Sequence, residues 1–376
     1  MNKIKILYIF THCTKSGPIQ QMLNLIKNLD RDAFDPYLVT IYEESPNELS
    51  LLGEYKKILP CSLVKTSKID IMLGRVKGIK ACIKDIQPDI IHTFGVFPDY
   101  MIAKMKFQKH ILTSRNFVYD DYPDVYGKLL GYILAKIHLY AIKQTKFSHC
   151  CSKSLHEIYL EKLNMNIPYI RNGVDLTLYN KTDKNDKIKL REEFALPQEK
   201  KIIVYGGVFN DRKNQRFLLE AISREKEFEN MCFLLLGDGV EYETLYKQYS
   251  NKDNIIMPGN TDRMADYLRA SDYYVSTSKS EGLPNGVLEA MATGLPVLLS
   301  DIPQHKEILE ADEAVGELYV QDDMKDFQIK LRELLEMDYN KMSNAAENSA
   351  KNNFSSTIMS RSYQELYQKI CRKLTI

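Results

Sequence analysis

Short β-branched runs alternate with longer stretches of helical periodicity along the whole chain. In the first half the runs are IKILYIF, PYLVTIY, DIIHTF, HILTSR and FSHCCS; in the second they are KIIVYGG, MCFLLLG, NIIMPG, DYYVSTS and PVLLSD. Between the first two, Ile19, Met22, Leu23, Ile26 and Leu29 recur every three or four residues, which lays one apolar stripe along a helix. Strands alternating with helices predict parallel sheets covered by helices. Near-continuous apolar strands such as MCFLLLG suit sheets buried on both faces. Two such domains follow one another and join near IPYIRNGVD, residues 167–175, where Asn-Gly interrupts the pattern. The charged stretch NKTDKNDKIKLREEF is expected to be a solvated excursion before the second sheet opens at Lys201. At the far end Met359, Tyr363, Leu366, Tyr367, Ile370 and Leu374 line one face of a terminal helix, which needs a surface to lie on.

Composition adds limits. At roughly 100–200 residues per domain, 376 residues make about two or three domains. With 44% hydrophobic and 27% charged residues the chain is an ordinary globular protein, and a net charge of +1 gives it no general pull on nucleic acid. The charge is uneven: residues 1–170 hold 23 Lys and Arg against 16 Asp and Glu. A basic first half is compatible with an anionic partner or a membrane surface. The cysteines (Cys13, Cys61, Cys82, Cys150, Cys151, Cys232, Cys371) are odd in number and form no C-x-x-C pair. They predict neither a disulfide framework nor a zinc site, and they fit a reducing, cytoplasmic setting. The apolar run Ile6–Phe10 is too short for a signal peptide and reads as a first strand. The most membrane-like stretch, LLGYILAKIHLYAIK, is broken by Lys136 and His138; it reads as a buried helix or one that touches lipid, burial being the commoner case.

The candidate chemistry lies in SEGLPNGVLEAMATGLPV, residues 280–297. DYYVSTS is a strand, Pro284 suits the first turn of a helix, and Gly294 is placed to end it. Ligands of open α/β sheets bind outside such carboxyl strand ends. The N–H groups from Gly282 to Gly286 and the helix dipole favour an anion. Two carboxylates beside an anion site make sense if Glu289 and Glu281 serve neutral hydroxylated parts of the same ligand. The plainer reading of either glutamate alone is a solvated surface residue. In YGGVFNDRKNQRFLLEA, Arg212 and Lys213 follow a strand end, where a diphosphate would meet a fork and a point charge. THCTKSGPIQQ sets Gly17 between strand and helix, as in a loop that approaches a phosphate, although it has neither a G-x-G-x-x-G nor a Walker lysine.

Taken together, SEGLPNGVLEAMATGLPVLLSD, RNGVD, GGVFNDRKNQRFLLEA, LLLGDG and YLRASDYYVSTSKSEG resemble the retaining glycosyltransferases of family 4, closely over residues 170–310 and more loosely before them. The resemblance implies the GT-B fold: an α/β protein of two Rossmann-like domains with parallel sheets facing a cleft, and a C-terminal helix crossing back to the first domain. Residues 1–168 would bind acceptor, 169–355 the nucleotide sugar, and 356–376 would form the returning helix. It further implies that Glu289 holds the nucleotide ribose. Glu281 and the Gly282, Leu283, Pro284, Asn285 backbone would meet the donor sugar and phosphates, Lys213 would bind phosphate, and Gly17 and Gly237 would lie at the donor. Two positions depart from the family. Val208 stands where an arginine is usual, so Arg212 is the substitute source of charge. Arg115 and Asn116 stand near a usual sugar-binding histidine, with His92 a second candidate there that more simply reads as a hydrogen-bonded structural residue.

The implied reaction moves a hexose or N-acetylhexosamine from a nucleotide-diphosphate sugar, UDP foremost, to a hydroxyl of a glycan or lipid-linked acceptor. Retention is implied, as is a role in capsule, exopolysaccharide or other envelope synthesis, with peripheral contact at the inner face of the plasma membrane. Arg212, Lys213 and helix N–H groups would stabilise the leaving diphosphate. The only D-x-D, Asp30 to Asp32, ends the first helix and reads as a solvated turn, so no metal or other cofactor is expected. A non-hydrolysing nucleotide-sugar epimerase and an inactive GT-B scaffold or accessory subunit are the rivals.

Overall fold

The computed structural model describes residues 3–45 and 49–373. The chain divides into two units, Met1–Gly173 with Ser356–Ile376, and Val174–Ser355. The first boundary falls five residues beyond the sequence estimate of 168/169. Ile170 N and Asn172 N still donate to the carbonyls of Cys150 and Cys151, so this stretch continues the first unit.

Unit 1 is built on six parallel strands: β1 (Ile4–Phe10), β2 (Phe34–Thr40), β3 (Cys61–Leu63), β4 (Ile90–Phe94), β5 (His110–Ser114) and β6 (Phe147–Cys150). Unit 2 has β7 (Ile202–Gly206), β8 (Cys232–Leu236), β9 (Ile255–Gly259), β10 (Tyr273–Ser276), β11 (Val297–Ser300) and β12 (Gly316–Tyr319), also all parallel. The sheet orders are β3-β2-β1-β4-β5-β6 and β12-β11-β10-β7-β8-β9. Counted from its own first strand, each unit reads 3-2-1-4-5-6, the doubly wound order. The winding reverses between β1 and β4, and again between β7 and β10.

Burial explains the apolar strands. Ile6, Tyr8 and Phe10 join the helix Gly17–Lys27 in one core layer, while Leu7 and Ile9 join Ile79 and Ile102 in another. Alternate residues of β1 thus serve opposite faces of the same sheet. The stripe expected from Ile19 to Leu29 is buried along its length. The sequence runs omitted β3 and β12. Both are edge strands, of three and four residues, with partly exposed side chains, so neither shows a continuous apolar run. Pro258 is tolerated in β9 for the same positional reason, since an edge strand need not donate on its outer side.

Three local readings change. The charged stretch after residue 180 is not a bare excursion but contains a helix, Lys184–Glu193, capped by Asp183. Its Arg191 is buried, pairs with Asp272 at 2.7 Å and donates to the carbonyls of Ala270 and Gln198. A charged helix is therefore pinned by one inward arginine, which a count of charges cannot show. The stretch LLGYILAKIHLYAIK lies in a helix, Lys128–Gln144, that is buried on one face only: Leu134, Ala135, His138, Leu139 and Ile142 point inward, while Leu129, Tyr132 and Ile133 are exposed. Finally, Pro284 caps the helix of the 280–297 segment, which runs Asn285–Ala292, instead of lying in its first turn.

The terminal helix Ser356–Lys373 is part of unit 1. Met359, Tyr363, Tyr367 and Ile370 enter its core, with Leu366 packed against it, and Leu374 lies outside the described residues. Polar groups fix its register. Tyr367 OH meets Tyr8 OH at 3.1 Å and His92 Nδ1 at 2.8 Å, and Tyr363 OH meets Thr113 Oγ1 at 2.8 Å. These buried groups satisfy one another, as burial requires.

Candidate functional site

In unit 2 the reversal point lies between β7 and β10, and both strands lead into loops at the same sheet edge. The β7 loop makes a turn at Asp211–Asn214 before the helix Gln215–Ser223, with Asn214 in the left-handed region at φ 56°. The β10 loop, residues 277–284, holds that turn in place. Thr277 Oγ1 donates to the carbonyls of Lys213 (3.1 Å) and Asn214 (2.9 Å), and Lys279 N donates to Arg212 O (2.8 Å). Tyr205 OH, from β7, donates to Lys213 O at 2.6 Å. Asn210 Oδ1 accepts from Lys213 N. Three side chains and one backbone bond thus aim a single turn. Thr277 and Tyr205 escaped the sequence reading because their task is to hold a neighbour's backbone; the only signal was a run of hydroxyl residues at a strand end.

The turn delivers two cations to one carboxylate. Lys213 Nζ lies 2.5 Å from Glu281 Oε1, and Arg212 Nη1 lies 3.1 Å from Glu281 Oε2 and 2.8 Å from Ser280 O. Burial alone would raise the Glu281 pKa, but Lys213 and Arg212 outweigh it and hold it down at about 2. Burial also lowers the Lys213 pKa, an effect that Glu281 opposes and Arg212 reinforces. The group therefore carries two positive charges and one negative, in a place only partly open to water. Behind it, Ser300 Oγ donates to Ser278 O at 2.6 Å, and the fully buried His305 lies within electrostatic reach of Glu281 and Lys213, its pKa lowered to about 4 chiefly by burial.

Gly282, Leu283 and Pro284 are buried and lead directly into the Asn285–Ala292 helix. Leu295 N bonds to Ala290 O and Gly294 N to Met291 O, with Gly294 at φ 75°, so the helix ends in a Schellman motif at the expected glycine. Glu289, on this helix, is hydrogen-bonded to Tyr179 and acts electrostatically on Lys213. The structure thus brings Arg212, Lys213, Glu281 and Glu289 into one electrostatic group. It differs from expectation at Glu281, whose two oxygens each take up a cation. Gly237, at φ 133°, follows β8 and backs onto the β7 loop: a Cβ there would lie 2.0 Å from Gly207 O.

In unit 1 the candidates are dispersed. Gly17 opens the Gly17–Lys27 helix after β1. Arg115, after β5, donates from Nη1 to Asn172 Oδ1 at 2.5 Å and lies over the Phe94 ring. Asn116 donates to Asp121 Oδ1 at 2.8 Å. His92 is fully buried with Nδ1 on Tyr367 and Nε2 on Thr113, and burial keeps its pKa well below the usual histidine range. A neutral histidine with both nitrogens engaged is structural, which corrects the sugar contact suggested for it. Asp30 and Asp32 lie in an exposed turn, where Asp32 N donates to Asp30 Oδ1.

Two parallel sheets in this order, with a charged crevice edge at the second reversal point, define a GT-B protein, and solved structures agree. HepE from Anabaena, crystallised with UDP and glucose, superposes with a TM-score of 0.79 over 97% of this chain and 99% of that one at 16% identity. Residues 186–352 match the family described as glycosyl transferases group 1. It is similar to the O-antigen biosynthesis glycosyltransferase WclY of Escherichia coli, with 26% identity over 82% of this chain and 83% of that protein. It is also similar to the capsular polysaccharide biosynthesis glycosyltransferase CapH of Staphylococcus aureus, with 24% identity over 81% and 83% respectively.

Proposed function

We propose that the chain is a retaining, metal-independent hexosyltransferase of family 4. It moves a hexose or N-acetylhexosamine from a nucleotide-diphosphate sugar, UDP foremost, to a hydroxyl of a glycan or lipid-linked acceptor in envelope polysaccharide synthesis. The observation that carries this reading is the Arg212–Lys213–Glu281 group at the unit 2 reversal point. Relatives named for O-antigen and capsule synthesis support the pathway class, and a structural neighbour solved with UDP and glucose supports the donor class.

In this proposal the leaving diphosphate gathers negative charge as the sugar bond breaks. Lys213 and Arg212 meet that charge from a preorganised turn, so little reorganisation is needed during reaction. Glu281 keeps the two cations placed and Lys213 protonated. Glu289 holds ribose hydroxyls, and the backbone from Gly282 to Asn285 lies along donor sugar and phosphate. Among the unit 1 residues, Gly17 is assigned to donor phosphate, and Arg115 and Asn116 are assigned to the acceptor. The acceptor hydroxyl attacks from the face the diphosphate leaves, and its proton passes to the leaving phosphate oxygen.

The test is consumption of a panel of nucleotide sugars with and without an acceptor mixture. Transfer that needs acceptor and persists in excess EDTA is expected. Donor isomerisation without acceptor would identify an epimerase, inertness towards every donor a scaffold, and loss in EDTA reversed by Mg²⁺ a metal-dependent enzyme. Glu281→Gln supplies a second check. Glu281 opposes the lowering of the Lys213 pKa, so its removal lowers that pKa further, and the alkaline limb of the pH–rate profile should move to lower pH. A limb that stays in place would show that Lys213 protonation does not govern the rate.

A further inference from the structure

The Lys128–Gln144 helix has an outer face that the fold of unit 1 leaves uncovered. Leu129 is 81% exposed, and Leu130, Tyr132, Ile133 and Tyr140 are about half exposed. The same helix carries Lys128, Lys136 and Lys143, all exposed, and its 17 residues include no Asp or Glu. Lys136 Nζ lies 5.2 Å from the centre of the Tyr132 ring, so cation and aromatic group share one surface. The face extends sideways: the Tyr140 and Tyr100 rings are 5.8 Å apart, Lys104 Nζ is 3.3 Å from Tyr100 OH, and it donates to Met72 O, beside the exposed Leu73.

Single exposed apolar residues need no explanation, but a run of them on one face marks an interaction surface. The pattern here selects the partner. Large aliphatic and aromatic groups interleaved with lysines, on a helix that itself carries no acid although the adjoining helix Val118–Tyr126 holds Asp120, Asp121 and Asp124, match the boundary of a bilayer with anionic headgroups. Lysine stems can lie along the apolar groups while the ammonium ends reach phosphate. No helix among the described residues is long and apolar enough to cross a membrane, so the contact this face offers is interfacial. We propose that the outer face of the Lys128–Gln144 helix docks unit 1 onto an anionic lipid bilayer. The proposal does not rest on the donor chemistry, because vesicle binding is measured with neither donor nor acceptor present.

The experiment is co-sedimentation of the full chain with phosphatidylcholine vesicles, with and without phosphatidylglycerol. Binding is expected only when phosphatidylglycerol is present, weakening as salt is raised. Lys136→Gln combined with Lys143→Gln should weaken it by about fivefold per lysine removed. Leu129→Glu with Ile133→Glu should abolish it. These are surface positions, so both variants should keep the wild-type unfolding midpoint and activity on a water-soluble acceptor; if the glutamate pair failed to fold, the glutamine pair would still decide. Absence of vesicle binding, or binding unchanged in the folded variants, would overturn the proposal. A solution dimer that both variants dissolve, without vesicle binding, would do the same by making this face a contact between two copies of the chain.

Discussion

Lys213→Ala is expected to lower turnover by a factor on the order of 10²–10³ while changing UDP affinity far less. The split follows from when the lysine acts. In the proposed mechanism the bound diphosphate has the Gly282–Asn285 backbone and Arg212 beside it before reaction, and Glu289 serves the ribose. What Lys213 adds is a response to the charge that appears as the sugar leaves, so its loss falls on kcat and leaves KM nearly in place. A structural side effect must be separated from this. Removing Lys213 leaves the buried Glu281 with Arg212 as its remaining cation in the pair of ion pairs, and stripping one partner from a buried charge costs stability. The double variant Lys213→Met with Glu281→Gln removes cation and anion together, so its unfolding midpoint should recover towards wild type. Its turnover should not recover. Steady-state kinetics and UDP titration on folded protein decide the matter, and a Lys213→Ala enzyme with wild-type kcat would remove the residue from the mechanism.

The sequence displayed the parts of this site that are chemical and concealed those that are geometric. Arg212, Lys213, Glu281 and Glu289 stand out as a set, cations after one strand and carboxylates after another, although either glutamate alone reads more plainly as a solvated surface residue. Their mutual arrangement was not visible. Glu281 was read as a partner for sugar hydroxyls, and only the fold, by setting the β7 and β10 loops side by side, gives each of its oxygens a cation. Likewise β1 and β8 were legible because burial on both faces demands unbroken apolar runs, whereas the edge strands β3 and β12 escape that demand. His92 reads more simply as a hydrogen-bonded structural residue, but its partners, Tyr367 and Thr113, could not be named from the sequence, one of them being 275 positions away. The helix Lys128–Gln144 shows the same limit from the other side. Its long apolar run reads as a helix, buried or touching lipid, but which of its apolar residues stay uncovered depends on neighbours the sequence does not name.

Gly237→Ala should lower the unfolding midpoint by about 6–12 °C, because about 3 kcal/mol is lost in a domain of roughly 150–250 residues. Two terms add. At φ 133° an alanine occupies a region that side-chain-bearing residues avoid, at a cost on the order of 1–3 kcal/mol. Its Cβ would also fall 2.0 Å from Gly207 O, a contact with backbone that no rotamer change relieves. One of the two chains must move, and both are tied: Gly237 N donates to Gly259 O, and Gly207 N donates to Leu236 O. The strain therefore passes into the β7 loop, where the Gly207 position lies against the Lys213 side chain. Turnover should fall together with stability, since the turn that aims Arg212 and Lys213 starts from that loop. The resemblance to family 4 assigned Gly237 to the donor, and the two roles predict different results. A pure donor contact would weaken UDP binding and leave the midpoint intact, whereas a backbone crossing lowers the midpoint whether or not UDP is present. Thermal unfolding of Gly237→Ala with and without UDP separates them, and an unshifted midpoint in both conditions would mean that the two loops do not approach as closely as the fold requires.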